Sequence, residues 1–340
     1  MPLRHSIARL PETRVLLADL TFPSDRVQIQ RTRLAFVHLD NVLNFSKIDR
    51  DGRVDGYVVA YLPDLVAVLF LRGGQLVTAV SFTESGRSVL PIAAALREMR
   101  AELERGELVY ADAPLEQLAW MYQSCAAPAV LKFVDLDDPQ ALFPVLRQET
   151  FSGILELISQ GRVNYFRFED GKFINGYYCA KAADLSVSQH VESLFAGDSE
   201  GSKPALVASV FPYSDSLPAQ ASTAMMQSYR ELFWKIVEVA EREVPDEGKR
   251  RAYKLRDALA GLHTPLAVLG TPLDREAREI VTSPEGLTRA LADWTRQLLQ
   301  QLEIIAPGVA PRILKEATRE QRFVLQKAGF YQQLPWSLSW

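Results

Sequence analysis

The sequence predicts an α+β chain: two tandem repeats, each with a small antiparallel sheet and flanking helices, followed by an α-helical C-terminal region. Three observations predict it. One is an internal duplication at a constant offset, the second is β-branched and aromatic runs cut by two-residue glycine turns, and the third is apolar stripes at helical spacing near the C-terminus. At 340 residues the chain has room for two or three domains of about 100–150 residues each. The expected division is an N-terminal extension over 1–30, a first repeat over 31–127, a second over 128–222 and a helical region over 223–340.

The duplication is visible in Leu34-Ala35-Phe36-Val37-His38-Leu39-Asp40, which returns as Leu131-Lys132-Phe133-Val134-Asp135-Leu136-Asp137 at an offset of 97 residues. The same offset carries Gly56 onto Gly153, Val66 onto Val163 and Gly74 onto Gly171 without a gap. In the first copy Tyr57–Leu62, Leu65–Leu71 and Gln75–Val80 are separated by Pro63-Asp64 and Gly73-Gly74. In the second, Ile154–Ile158, Val163–Phe168 and Lys172–Tyr178 are separated by Gln160-Gly161 and Asp170-Gly171. Such runs around two-residue glycine turns predict a three-strand meander in each copy.

Upstream of each meander, Leu39-Asp40-Asn41 and Leu136-Asp137-Asp138-Pro139 read as helix starts, with the aspartates as N-caps. Downstream, Ser88–Leu103 and Asp184–Phe195 read as helices, and Glu107–Tyr110 and Ala205–Val210 as closing strands. The Leu34–Asp40 run and its counterpart supply the opening strand. The order in each copy is therefore strand, helix, three strands, helix, strand.

Phe151-Ser152-Gly153-Ile154-Leu155-Glu156-Leu157, followed by Phe166-Arg167-Phe168-Glu169-Asp170-Gly171-Lys172-Phe173-Ile174-Asn175-Gly176, resembles the PATAN family, the PatA N-terminal type domain of bacterial signalling proteins. The first copy matches less fully, through Asp55-Gly56 and Leu69–Ala79. The two copies span about two-thirds of the chain. The resemblance implies a protein-interaction or output module of the kind often joined to a response-regulator receiver domain; no receiver pattern is evident in this chain.

In the C-terminal third, Pro212–Ser222 and Arg242–Gly248 read as connecting segments, with a helix between them. Met226, Tyr229, Phe233, Ile236 and Ala240 share one face of that helix. The first four form the candidate interaction face: the stripe is covered either by the interior of a small bundle or by a partner, which could be a second copy of this chain. A second stripe, Leu287, Leu291, Trp294, Leu298, Leu302 and Ile305, follows Ser283-Pro284-Glu285, a cap and first turn. A third helical segment is expected over Pro311–Ala328. The apolar end, Leu334–Trp340, is expected to dock rather than to trail.

The chain is 48% hydrophobic and 24% charged, with 38 basic against 42 acidic residues. A formal charge of −4 gives no electrostatic argument for nucleic acid or an anionic membrane. Cys125 and Cys179 have neither disulfide-framework nor zinc spacing, and no apolar run is long enough for a span, so the expectation is a cytoplasmic protein. His5, His38, His190 and His263 are scattered. Gly171-Lys172 is followed by Phe173, where a phosphate loop needs serine or threonine. Asp49–Asp55 has Lys47 and Val58 where a calcium loop needs its first and last carboxylates, and so reads as a turn. The basic residues Lys249, Arg250, Arg251, Lys254 and Arg256 are interleaved with acids and read as a solvated helix face. Tyr177-Tyr178-Cys179 either lines a pocket or packs a strand end.

The sequence therefore predicts no catalytic residues, no metal and no cofactor. Its expected role is a non-enzymatic signalling or scaffold protein that binds protein partners through the tandem modules. The rival reading is a ligand sensor with a small-molecule pocket between the repeats, and an enzyme with a dispersed site comes third.

Overall fold

The computed structural model describes residues 7–11, 13, 15–48, 54–134, 136, 138, 141–196 and 206–338, with side chains 44–48 set aside. The aspartate-rich turn at 49–53, the caps at Asp137 and Pro139, and the last two residues lie outside the described residues. The chain is α+β and divides into two compact units, Met1–Pro218 and Ala219–Trp340. The strands of both repeats fall within the first unit, which ends four residues before the expected bound of the second repeat at 222.

The first sheet has the order β1-β6-β2-β3-β4-β5, built from β1 (Arg26–Arg33), β2 (Gly56–Tyr61), β3 (Val66–Arg72), β4 (Gln75–Thr83), β5 (Gly86–Leu90) and β6 (Glu107–Asp112). The second has the order β10-β9-β8-β11-β7, from β7 (Leu131–Phe133), β8 (Gly153–Ser159), β9 (Arg162–Glu169), β10 (Lys172–Tyr177) and β11 (Leu206–Phe211). Every strand pairing is antiparallel.

The duplication extends to the register. Gly56 faces Leu71 and Tyr61 faces Val66, while Gly153 faces Phe168 and Ile158 faces Val163. The β3·β4 ladder slips between Phe70 and Leu71, and the β9·β10 ladder slips at the equivalent Arg167 and Phe168. Residues at the same turn positions, Gly73, Gly74, Asp170 and Gly171, all have positive φ, as tight hairpin turns demand. Ala111 faces Tyr57, and Phe211 faces Ile154, so the offset has grown to 100 by the closing strand.

The opening strand is a correction. Leu131–Phe133 is a strand, but Leu34–Phe36 is a 3-10 turn. Leu34 is fully buried, with its N–H donating to the Gly106 carbonyl, whereas Phe36 is exposed. The strand that pairs with β6 lies upstream, at 26–33, in what reads from sequence as an extension. A short apolar run has the same periodicity whether it forms a strand or a buried turn.

Helices α1 (Leu39–Ile48) and α2 (Ile92–Ala101) are the first copy's flanking helices, and α4 (Phe143–Gln148) and α5 (Val187–Phe195) the second copy's. Asp40 falls inside the first turn of α1, where it pairs with Arg100, rather than capping the helix. The expected helix over Ser88–Leu103 is split, because Gly86–Leu90 pairs with β4 and Pro91 then opens α2.

The central strands β2, β3, β8 and β11 are buried on both faces, which explains their near-continuous apolar runs. Val58, Ala60, Leu69 and Leu71 pack with Leu39, Ala95 and Met99; Leu155, Leu157, Phe166 and Phe168 pack with Leu142, Leu146 and Leu194. On the opposite faces lie Val59, Tyr61, Phe70 and Phe82 in one sheet and Ile154, Glu156, Tyr165 and Phe211 in the other, all buried. Helix α3 (Leu115–Ala126) and the N-terminal segment reach both sheets. The Tyr57 and Tyr61 hydroxyls donate to Pro23 (2.8 Å) and Leu20 (2.6 Å), while Thr21 exchanges backbone hydrogen bonds with Gly161 and Val163.

The second unit contains α6 (Thr223–Glu243), α7 (Gly248–Leu259), α8 (Pro265–Leu269), α9 (Pro284–Ile305), α10 (Val309–Ala317) and α11 (Arg322–Lys327). Ser222 and Ser283 cap α6 and α9 through their hydroxyls. The segment expected as one helix over Pro311–Ala328 is two, broken after Ala317 by a turn at 318–321. Leu334 is buried, and Trp336 and Leu338 pack against the bundle core.

Candidate functional site

The residues proposed from sequence as an interaction face are interior. Tyr229, Phe233 and Ile236 are each 0% exposed, and Met226 packs at the margin of the same core. Phe233 stacks on Trp294 at 4.3 Å, and the Tyr229 hydroxyl lies 2.9 Å from Thr288. The second apolar stripe, on α9, joins the same core from Leu287 to Leu302, while Ile305 at its end is exposed. On α7, Arg250 and Arg251 pair with Glu247, and Arg256 pairs with Asp257.

An open site lies on the second repeat. It is a groove of about 680 Å³ between α4, α5 and the β9–β10 hairpin. Its walls are Phe143 and Pro144 on one side and Val187 and Val191 on the other, with Phe166, Phe168 and Phe173 as the floor. Pro144 opens α4, and a reciprocal cap between Ser186 and Gln189 starts α5, so both walls begin at defined places. The floor is an aromatic cluster: Phe173 lies 6.1 Å from Phe168 and 6.4 Å from Phe166, and Phe143 lies 6.4 Å from Phe168.

The two copies differ here in a way that creates the groove. Leu69, Leu71 and Leu76 stand where Phe166, Phe168 and Phe173 stand, but the first copy is covered by a ten-residue α1 and the second by a six-residue α4. The shorter helix leaves Phe173 42% exposed. Arg147 and Lys172, both exposed, line the groove at the hairpin end; Gly171 sits against the Arg147 backbone and keeps the two cations together. Glu192 is the carboxylate of the lining.

A second, more polar cleft of about 430 Å³ lies between the repeats, lined by Pro11, Thr13, Arg87, Cys125, Lys132 and Ser209. Arg87 is committed to Glu156 of the other repeat, at 2.8 Å and 3.0 Å. Burial pushes the Cys125 thiol up to about 12, against the opposing pull of Arg87, so it carries no thiolate for nucleophilic work at neutral pH. Nearby, Glu116 ties the repeats together by accepting from Tyr177 (2.8 Å) and Asn175 (3.2 Å) and pairing with Arg167. Trp120 packs on Tyr177 at 5.0 Å.

Tyr177, Tyr178 and Cys179 are therefore packing residues. Tyr178 stacks edge-on with His190, and the Cys179 thiol contacts Thr21. Asn164, 0% exposed, accepts from the Cys179 backbone and lies 3.1 Å from the His190 Nε2. Burial, with Lys181 and Arg162 nearby, lowers the His190 pKa and favours the neutral ring. Among the described residues no cluster of three or more histidine, cysteine or acidic side chains is placed to hold a metal, and no helix is long and apolar enough to cross a membrane.

Sequence reading found the hairpin that carries the groove floor but not the groove. Its signal was present in the concentration of phenylalanine at 143, 151, 166, 168 and 173. No family model, no curated protein and no solved structure matches the chain.

Proposed function

We propose that this chain is a non-enzymatic signalling or scaffold protein whose second repeat binds a protein partner. The supporting observation is the open aromatic groove on that repeat, floored by Phe166, Phe168 and Phe173 and flanked by cations. Apolar surface collected in a concave site favours a bound partner by removing it from water, and a few polar groups at its edge set orientation. The likeness of the second copy to the PATAN family supports the same reading, because it is the copy that matches better and the copy that carries the groove. The first repeat, α3 and the N-terminal segment then act as the frame that holds the groove's sheet.

The test is affinity capture on the full chain from the native cell extract, compared with a Val191→Glu variant. A protein captured in stoichiometric amount by the parent and lost by the variant supports the reading, since a charge in the groove wall opposes apolar docking. Equal capture by both contradicts it. The rival reading, a small-molecule sensor, draws on the cleft between the repeats. Organic extraction of the native protein that released a ligand, with no partner captured, would favour it.

A further inference from the structure

Sheet edges in natural proteins are blunted against unwanted pairing, so an edge left unprotected is informative. Of the four edge strands, β1 carries Arg26, Arg31 and Arg33 and two register shifts, β5 is five residues long, and β7 only three. The fourth, β10, has Lys172 and one register shift between Phe173 and Asn175, yet leaves adjacent apolar side chains exposed, Phe173 at 42% and Ile174 at 47%. No described strand lies beyond it.

The first copy shows what this module does with that edge. There β4 is not an edge, because Leu90 and Val89 of β5 pair antiparallel with Ala79 and Val80. The equivalent positions in the second copy are Gly176 and Tyr177, fixed by the shared register of Val68 with Val80 and Tyr165 with Tyr177. The second copy has no counterpart of β5 among its described residues. The aromatic groove opens beside this same strand, sharing Lys172 and Phe173 with it. Neither Arg147 nor Lys172 has a carboxylate partner among the described residues, so the hairpin end of the groove favours an acidic group.

We propose that the partner supplies the missing strand: an extended segment of a protein adds antiparallel to β10, with alternate apolar side chains in the groove and an acidic residue beside Arg147 and Lys172. This rests on the reading of the groove as a protein-binding site. Main-chain hydrogen bonds to β10 give affinity, and the pocket beside Phe173 selects side chains at every second position. The acidic residue sets register and direction by charge pairing at the groove's end.

The experiment is a selection from a random dodecapeptide library on the immobilised full chain, with tight binders remade synthetically. The expected sequences alternate apolar residues and carry aspartate or glutamate toward one end. N-methylating one alternate set of peptide amides, the set facing β10, should weaken binding by about tenfold or more, and the other set by about twofold at most. The double variant Arg147→Glu, Lys172→Glu should weaken the acidic peptides by about tenfold and leave circular dichroism unchanged. Binders with apolar residues at helical spacing, indifferent to which amides are methylated but lost in Val191→Glu, would overturn strand addition and leave the groove reading standing. No enrichment above an unrelated control protein would overturn both. A dimer seen by light scattering and abolished by Phe173→Glu would overturn the proposal in favour of a second copy of this chain on β10.

Discussion

Replacing Glu156 with alanine should loosen both repeats at once. The Glu156 side chain is 1% exposed and its partner Arg87 18%, and the pair joins β8 of one repeat to β5 of the other. Burial opposes the charge on Arg87, and the adjacent Glu156 carboxylate more than reverses that, leaving the guanidinium harder to deprotonate than usual. Without Glu156 only the burial penalty remains. Breaking one side of a buried pair costs about 3–5 kcal/mol, and the partial exposure of Arg87 argues for about 3. That is a large share of a domain's typical stability of about 5–15 kcal/mol. Native-state hydrogen exchange resolves the effect by element. Opening free energies in β3 and β8 should fall together by about 3 kcal/mol, while those in α9, in the other compact unit, stay put. Replacing both partners with apolar residues, Arg87→Met with Glu156→Leu, should recover stability to within about 1 kcal/mol of the parent. A loss below about 1 kcal/mol for Glu156→Ala, the size expected of a surface pair, would refute the idea that this contact locks the repeats.

Gly161 has φ +79°, and an added Cβ would meet the Asp19 carbonyl. Gly161→Ala should therefore cost about 1–3 kcal/mol and speed tryptic cleavage after Arg9. His190 has a lowered folded pKa, so the unfolded chain takes up a proton first as pH falls. Its contribution to stability should be complete above the unfolded value of about 6.5 and decline as pH falls from there toward the folded value; an imidazole proton resonance that titrates at or above that value would contradict this. Phe233→Asp buries an unpaired charge against Trp294 and should cost more than about 4 kcal/mol, melting the second unit without releasing a partner. Circular dichroism together with exchange in β2 and β8 distinguishes this from damage to the repeats.

The paired-glycine turns made the meanders legible, because Gly74, Gly161 and Gly171 occupy positive-φ positions that few other residues accept. The α6 and α9 stripes were legible as faces, but what covers a face is a tertiary fact, and both turned out to lie, apart from Ile305, in the core of one helical bundle. The opening strand was misplaced because Leu34 is buried as a turn residue, while β1 reads as Arg-Val-Gln-Ile-Gln-Arg-Thr-Arg, a polar edge with little apolar content. The groove escaped notice for a different reason. It comes from the six-residue length of α4, and helix length is set by caps and packing that periodicity alone does not reveal. The buried Glu156 within an otherwise apolar β8 was visible in sequence, but nothing local pointed to Arg87, 69 residues away, as its partner.

Hydrogen exchange of the full chain with and without a captured partner protein locates the binding surface. Slowing of exchange on binding should be confined to 143–148, 166–177 and 187–192, the walls, floor and edge strand of the second repeat's groove. Protection confined instead to the cleft around Arg87 and Cys125, or to the helices of the second unit, would contradict binding in that groove.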